Sequence, residues 1–139
     1  MRITLLGAGH IGQTIARWLA DCGDYDVTVV DRDPAALERL GTRPRLATRV
    51  AATDDAQQLL AVLRGQDAVL NALPYHLATL AATQAREARC HYFDLTEDVA
   101  ATRAIQRLAE GAPTAFMPQC GLAPGFIGIV AHHLAQGFD

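Results

Sequence analysis

Lysine and serine are entirely missing from the 139 residues. The first absence excludes a Schiff-base amine and a phosphate-loop lysine within this chain, and the second excludes a serine nucleophile. The twelve cationic side chains are scattered through a sequence of net charge −3, with no basic stripe of the kind that grips a phosphate backbone, so nucleic acid is not an expected partner. Cysteine is scarce as well. Cys22, Cys90 and Cys120 are odd in number and widely spaced, which fits neither a disulfide framework nor a zinc site, and no metal is expected. No apolar run approaches the length of a membrane span and no signal-peptide pattern precedes the first strand, so the expectation is a cytoplasmic protein with no membrane partner. Repeats, low-complexity tracts and linkers are also missing. What remains is a single domain, half hydrophobic and about a fifth charged, with enough chain for a six-stranded open sheet.

The chain is organised around Gly7-Ala8-Gly9-His10-Ile11-Gly12, which follows an apolar strand from Ile3 to Leu6 and opens a helix whose expected inward stripe is Ile15, Trp18, Leu19 and Cys22. In a dinucleotide-binding turn Gly7 allows the tight bend, Gly9 lets a pyrophosphate approach the backbone, and Gly12 lets the helix pack closely on the strand. The phosphates would meet free amides, including those of His10 and Ile11, at the positive end of the helix dipole. A second strand, Val27 to Val30, ends in Asp31, placed to accept hydrogen bonds from the adenosine ribose hydroxyls. Asp31 would repel a 2′-phosphate, whereas Arg32 next to it would attract one or stack on the adenine; the balance favours NAD over NADP.

Beyond this unit the pattern repeats. Asp33-Pro34 starts a short helix to Leu40, a third strand covers Ala47 to Ala52, and Asp54 with Gln57 reads as the capping box of a helix that buries Ala56, Leu59, Leu60 and Leu63. Thr53 and Asp54 also lie where an adenine edge would pass. A fourth strand, Asp67 to Leu70, leads into Asn71-Ala72-Leu73-Pro74 at the point where strand order reverses, so backbone groups of Asn71 and Ala72 are expected to line the cofactor. A helix from His76 to Ala88 buries Leu77, Leu80, Ala81, Ala85 and Ala88. His91 to Leu95 forms the fifth strand, and Thr96 caps a helix from Glu97 to Glu110 with Ala101, Ile105 and Leu108 inward. Thr114 to Met117 is the sixth strand. The loop Pro118 to Gly125 then presents backbone amides before an apolar helix from Phe126 to about Ala135. Six βα units give a Rossmann-type doubly wound parallel sheet, order 3-2-1-4-5-6. His76, Asp94 and Gln119 are the weak catalytic candidates at its carboxyl edge.

With these loops in view the sequence resembles the saccharopine dehydrogenase family, in particular its lysine 6-dehydrogenase-like members. The likeness rests on GAGHIG from Gly7, the acid at Asp31, NALPYH from Asn71, YFDLTED from Tyr92 and CGLAPGF from Cys120. The resemblance implies an NAD(P)-dependent dehydrogenase that takes a hydride from an amine-bearing carbon. It also implies a further domain, absent from this chain, that binds the amino-acid substrate and makes a homodimer. By position it gives Gly7, Gly9 and Gly12 to the pyrophosphate, Asp31 to the ribose, Asn71 and Ala72 to the cofactor, and the loop with Gly121, Pro124 and Gly125 to the nicotinamide side. The missing lysine departs from those members in which lysine and histidine work together. Two other readings stay open: an NAD-binding regulatory domain of a channel or transporter, and an aldehyde dehydrogenase with Cys120 as its thiol nucleophile.

Overall fold

The structure, a computed structural model, describes residues 1–138. Strands β1 (Arg2–Leu6), β2 (Asp26–Asp31), β3 (Leu46–Val50), β4 (Ala68–Asn71), β5 (His91–Asp94) and β6 (Phe116–Met117) form one parallel sheet in the order β3-β2-β1-β4-β5-β6. Helices α1 (His10–Asp21), α2 (Pro34–Glu38), α3 (Ala56–Leu63), α4 (Ala78–Ala88), α5 (Val99–Ala109) and α6 (Ile127–Ala135) connect or follow them. This is the doubly wound Rossmann arrangement expected from the alternation of strand and helix patterns. The inner strands β1, β2 and β4 read as largely apolar runs because helices cover both faces, whereas β3 at the sheet edge is mostly exposed. Leu5, Val27 and Val29 point to the side of α1 and α2, where Ala16, Ala36 and Leu37 meet them. On the opposite side Leu6, Val30, Val69 and Tyr92 pack against Leu59, Leu63, Ala81, Ala85 and Ile105 from α3, α4 and α5. The alternation along each strand divides one sheet into two cores. Between β1 and β4, where Leu6 is registered with Asn71, the chain winds away in both directions and leaves a crevice at the carboxyl edge.

Several local expectations shift. In α1 the buried positions are Gly12, Ala16 and Ala20, with Ile15 and Leu19 half-buried, while Trp18 is 71% exposed and Cys22 also faces solvent. Small residues four apart bring the helix axis close to the sheet, and that close approach turns the large indole outward. The cap of α3 is Asp55, whose carboxylate accepts from Gln58 N at 2.8 Å, so the expected box at Asp54 and Gln57 lies one residue early. The buried set is Leu59, Val62 and Leu63, a stripe at i, i+3 and i+4, while Ala56 is exposed and Leu60 half-buried. Likewise Asp98 caps α5 by accepting from Ala101 N, and Thr96 instead accepts from Asp98 N in the preceding turn. The helix expected from His76 begins as a 3₁₀ turn, Tyr75–Leu77, and its buried residues are Ala78, Ala81, Ala82 and Ala85, with Leu77, Leu80 and Ala88 half-buried. Strand β6 is two residues long, paired only as Tyr92 with Phe116 and Phe93 with Met117. Helix α6 buries none of its residues, and its principal neighbours are those of the preceding helical turn, Leu122–Phe126.

The tightest point of the fold is Gly12. A Cβ added there would run into the carbonyl oxygen of Gly7, a rigid backbone atom. Gly12→Ala should therefore cost about 1–3 kcal/mol as an overpacked contact, which for a domain of this size lowers Tm by roughly 5–10 °C. Thermal unfolding followed by circular dichroism measures it, and an unchanged Tm would contradict the geometry.

Candidate functional site

At the carboxyl edge the chain leaves β1 through Gly7, which adopts φ +98° and donates its amide to Val30 O at 2.8 Å. A Cβ at this position would lie 3.0 Å from the Ala72 carbonyl oxygen, so both backbone conformation and space demand glycine. Gly9 is different. Its φ is −68° and an added Cβ would find no atom within 4 Å. Nothing in the chain's own packing requires glycine there. The first intrahelical bond of α1 runs from Gln13 N to Gly9 O, and no side chain caps the helix. The amides of His10, Ile11 and Gly12 thus have no carbonyl one turn back, and they gather at the positive end of the dipole. His10 and Ile11 are both exposed beside this opening.

Asp31 fastens the second strand to the turn. Its Oδ2 accepts from Ala8 N at 2.7 Å and its Oδ1 from Asp33 N at 2.9 Å, which holds the carboxylate at the rim of a cleft of about 220 Å³. The cleft is lined by Asp31, Arg32, Thr53, Asp54, His76 and the Leu73–Pro74 corner with Leu77. Arg32 stands in solvent with its guanidinium 3.9 Å from Asp54. On the other flank of the glycine turn a second cleft of about 250 Å³ is bounded by Ile11, Ala72, Leu73, Tyr75, Leu95, Thr96 and Glu97. Ala72 and Ile11 are among the expected cofactor-binding residues, Ile11 through its amide at the glycine turn, whereas Tyr75, Thr96 and Glu97 are walls that the sequence did not single out. Their signal was position, directly after the ends of β4 and β5.

The three catalytic candidates do not come together. His76 lines the first cleft, exposed and edge-on to Tyr75 with ring centroids 5.8 Å apart. Asp94 is 1% exposed and fully engaged: its Oδ1 accepts from Thr96 N and Gln119 N, each at 3.0 Å, and its Oδ2 lies 2.9 Å from the Tyr92 hydroxyl. This carboxylate is a tie between β5 and the loop after β6, not a group that reaches a ligand. Gln119 takes part through its backbone, at φ +65°. Asn71 is also turned inward, its amide donating to Tyr92 Oη at 3.2 Å and its carbonyl oxygen accepting from Leu73 N at 3.1 Å, so it shapes the β4 loop from behind. Gly125 is required by the loop itself, since an added Cβ would lie 2.8 Å from Gln119 O, and Gly121 is tightly placed, its added Cβ 3.0 Å from Leu95 O. Neither they nor Pro124 line the two clefts. Cys120 donates to Met117 O, and partial burial followed by the charge of Asp94 pushes its thiol above the ordinary cysteine value, the reverse of what a nucleophilic thiolate needs. Among the described residues no group of three metal-ligating side chains occurs, and no helix is long and apolar enough to cross a membrane.

A parallel sheet with a glycine turn opening onto a bare helix N-terminus, and an acid at the end of the second strand, defines a Rossmann dinucleotide-binding domain. The sequence model of the saccharopine dehydrogenase NADP binding domain matches residues 3–116, and the chain belongs to that family. Among solved structures, apo saccharopine dehydrogenase (L-Glu forming) from Saccharomyces cerevisiae superposes with a TM-score of 0.81 at 23% identity, over 98% of this chain and 31% of the yeast one. The WlbA dehydrogenase from Chromobactrium violaceum, solved with NADH and UDP-GlcNAcA, has a TM-score of 0.67 at 22% identity, over 85% of this chain and 34% of its own. At these identities both likenesses speak for the fold. A curated relative, the Trk system potassium uptake protein TrkA of Halomonas elongata, is 40% identical over 73 residues, 45% of this chain and 16% of that protein. The chain thus spans between 16% and 34% of the length of each of these relatives.

Burial, then the charge and hydrogen bond of Asp94, hold the Tyr92 phenol above its ordinary value of 10.0. Below that pH the residue is neutral in both folded and unfolded chains. Above it only the unfolded chain releases the proton, so stability falls as pH rises, by up to about 1.4 kcal/mol per unit. Urea unfolding between about pH 9 and 11 should show a shallower loss for Tyr92→Phe than for the wild type; parallel losses would contradict the coupling.

Proposed function

We propose that the chain is the cofactor-binding part of an amino-acid dehydrogenase, in which a hydride passes between a nicotinamide and an amine-bearing carbon. The observation that carries the cofactor half of this reading is Gly9. Two glycines of the motif are explained by the fold, while the third faces open space above three free amides, which is where a pyrophosphate needs a backbone without a Cβ. Asp31 would hold the ribose of the adenosine in the first cleft, and Ala72 with Ile11 would flank the other half of the cofactor in the second. The bound nicotinamide supplies the hydride chemistry. The residues of this chain orient it and wall off one side from water.

NAD is the proposed partner. The family description names NADP, but a fixed carboxylate at Asp31 opposes a 2′-phosphate, and an exposed arginine contributes little unless well placed. Calorimetric titration tests both statements. Wild-type protein should bind NADH more tightly than NADPH, and Gly9→Val, whose Cβ enters the open space clear of every atom of the fold, should weaken NADH at least about tenfold, roughly 1.4 kcal/mol. Equal affinity of wild type and variant would place the site elsewhere, and tighter NADPH would overturn the preference.

The amino-acid half of the reading rests on family membership, and it includes a homodimer and a substrate domain beyond these residues. Hydride transfer needs the reacting carbon held about 3–3.5 Å from the nicotinamide in a water-poor pocket. The clefts here are open and none of their lining residues clamps an α-carboxylate from above. These 139 residues alone should accordingly form no NADH from lysine, saccharopine or other amino acids, while a longer reading frame should do so. Steady turnover by the isolated chain would refute the division of labour. The partial likeness to a potassium uptake protein favours a second reading, a nucleotide-sensing regulatory domain. Cofactor binding without turnover in the longer protein as well would favour it.

A further inference from the structure

We infer that Asp54, by holding Arg32 at the mouth of the first cleft, sets the choice between NAD and NADP. The inference rests on the reading of that cleft as the adenosine site. Three charged side chains border it: Asp31, Arg32 and Asp54, together with the exposed imidazole of His76. Asp31 is pinned by the amides of Ala8 and Asp33, so its charge stays at the rim. Arg32 is the one arginine among the lining residues, and its planar fork is the group suited to grip a phosphate in two places. Asp54 lies 3.9 Å from that fork and competes for it.

Two carboxylates against one guanidinium leave the cleft one net negative charge. A 2′-phosphate, bringing nearly two more negative charges, must therefore displace Asp54 from Arg32 and then sit beside both acids. A ribose bearing only hydroxyls meets no such opposition. Removing the charge of Asp54 makes the cleft neutral and frees the arginine. Asp54 has no competing structural duty, because the cap of α3 is Asp55 and Asp54 is itself exposed. Its place at the end of the β3 segment thus lets a residue distant in sequence from the Asp31-Arg32 pair govern what that pair accepts.

The experiment is titration of NADH and NADPH, followed by nicotinamide fluorescence, into wild type, Asp54→Asn, Arg32→Ala and the double variant. Asp54→Asn should raise the affinity ratio of NADPH to NADH about fivefold, the size of an exposed charge pair made available. The double variant should lose that gain, and the effect should shrink at high salt as exposed charges are screened. An unchanged ratio in Asp54→Asn, or a gain that survives loss of Arg32, would overturn the inference while leaving the cofactor site intact. Failure of the wild type to bind either nucleotide would instead remove the site reading and this inference with it.

Discussion

The contact on which the molecule depends is the passage of α1 over the carbonyl of Gly7, at a separation that leaves no room for a carbon at position 12. It brings the start of the helix directly above the end of β1. From there Ala16 and Ala20 keep the helix close enough for Leu5, Val27 and Val29 to be wholly or almost wholly enclosed. The neighbouring strand is tied into the same point twice, by Gly7 N to Val30 O and by Ala8 N to Asp31. On the other side Ala72 N donates to Leu6 O, which brings the β4 loop against the turn. One steric constraint thus sets the spacing of three strand ends, and the clefts on either side follow from it.

The two halves of the sheet solve the same problem by different physics. Around β1 and β2 the edge is shaped by glycine sterics and an acid at the rim. Around β5 and β6 it is shaped by Asp94, buried with Tyr92 and Asn71. A buried carboxylate is costly unless its oxygens are filled, and here amides from two loops fill Oδ1 while the Tyr92 hydroxyl fills Oδ2. A backbone bond from Cys120 N to Asp94 O at 2.8 Å adds a further clasp to a strand pair only two residues long. Each edge thus has its own carboxylate tie, half-buried at the rim at Asp31 and enclosed at Asp94.

The sheet order and the glycine turn were legible because they rest on local rules: apolar runs, caps and the spacing of small residues. Family membership was legible for a related reason, since the loops that carry it sit at strand ends. Side-chain direction was not. Asp94 looked like a ligand-facing group because it stands at the carboxyl edge, yet its carboxylate turns inward, and only the three-dimensional position of Tyr92 shows why. Trp18 was misplaced by assuming that large apolar side chains lead a helix into the core, whereas the close approach admits only Gly12, Ala16 and Ala20. Asp54 and Asp55 are adjacent acids, and nothing in their order says which one caps and which one faces the cleft. The pairing of Asp54 with Arg32, 22 residues away in sequence, is a tertiary fact.

The freedom around Gly9 has a consequence for how sequence change would propagate through such a domain. Positions 7 and 12 answer to the folding of the chain, so a population of variants selected only for solubility and heat resistance would keep both glycines. Position 9 answers to whatever occupies the space above it. Under the same selection it would drift to alanine, threonine or larger residues while the molecule remained well folded. A motif that reads as one signature therefore records two histories: its outer glycines testify to architecture, and its central one testifies to a ligand.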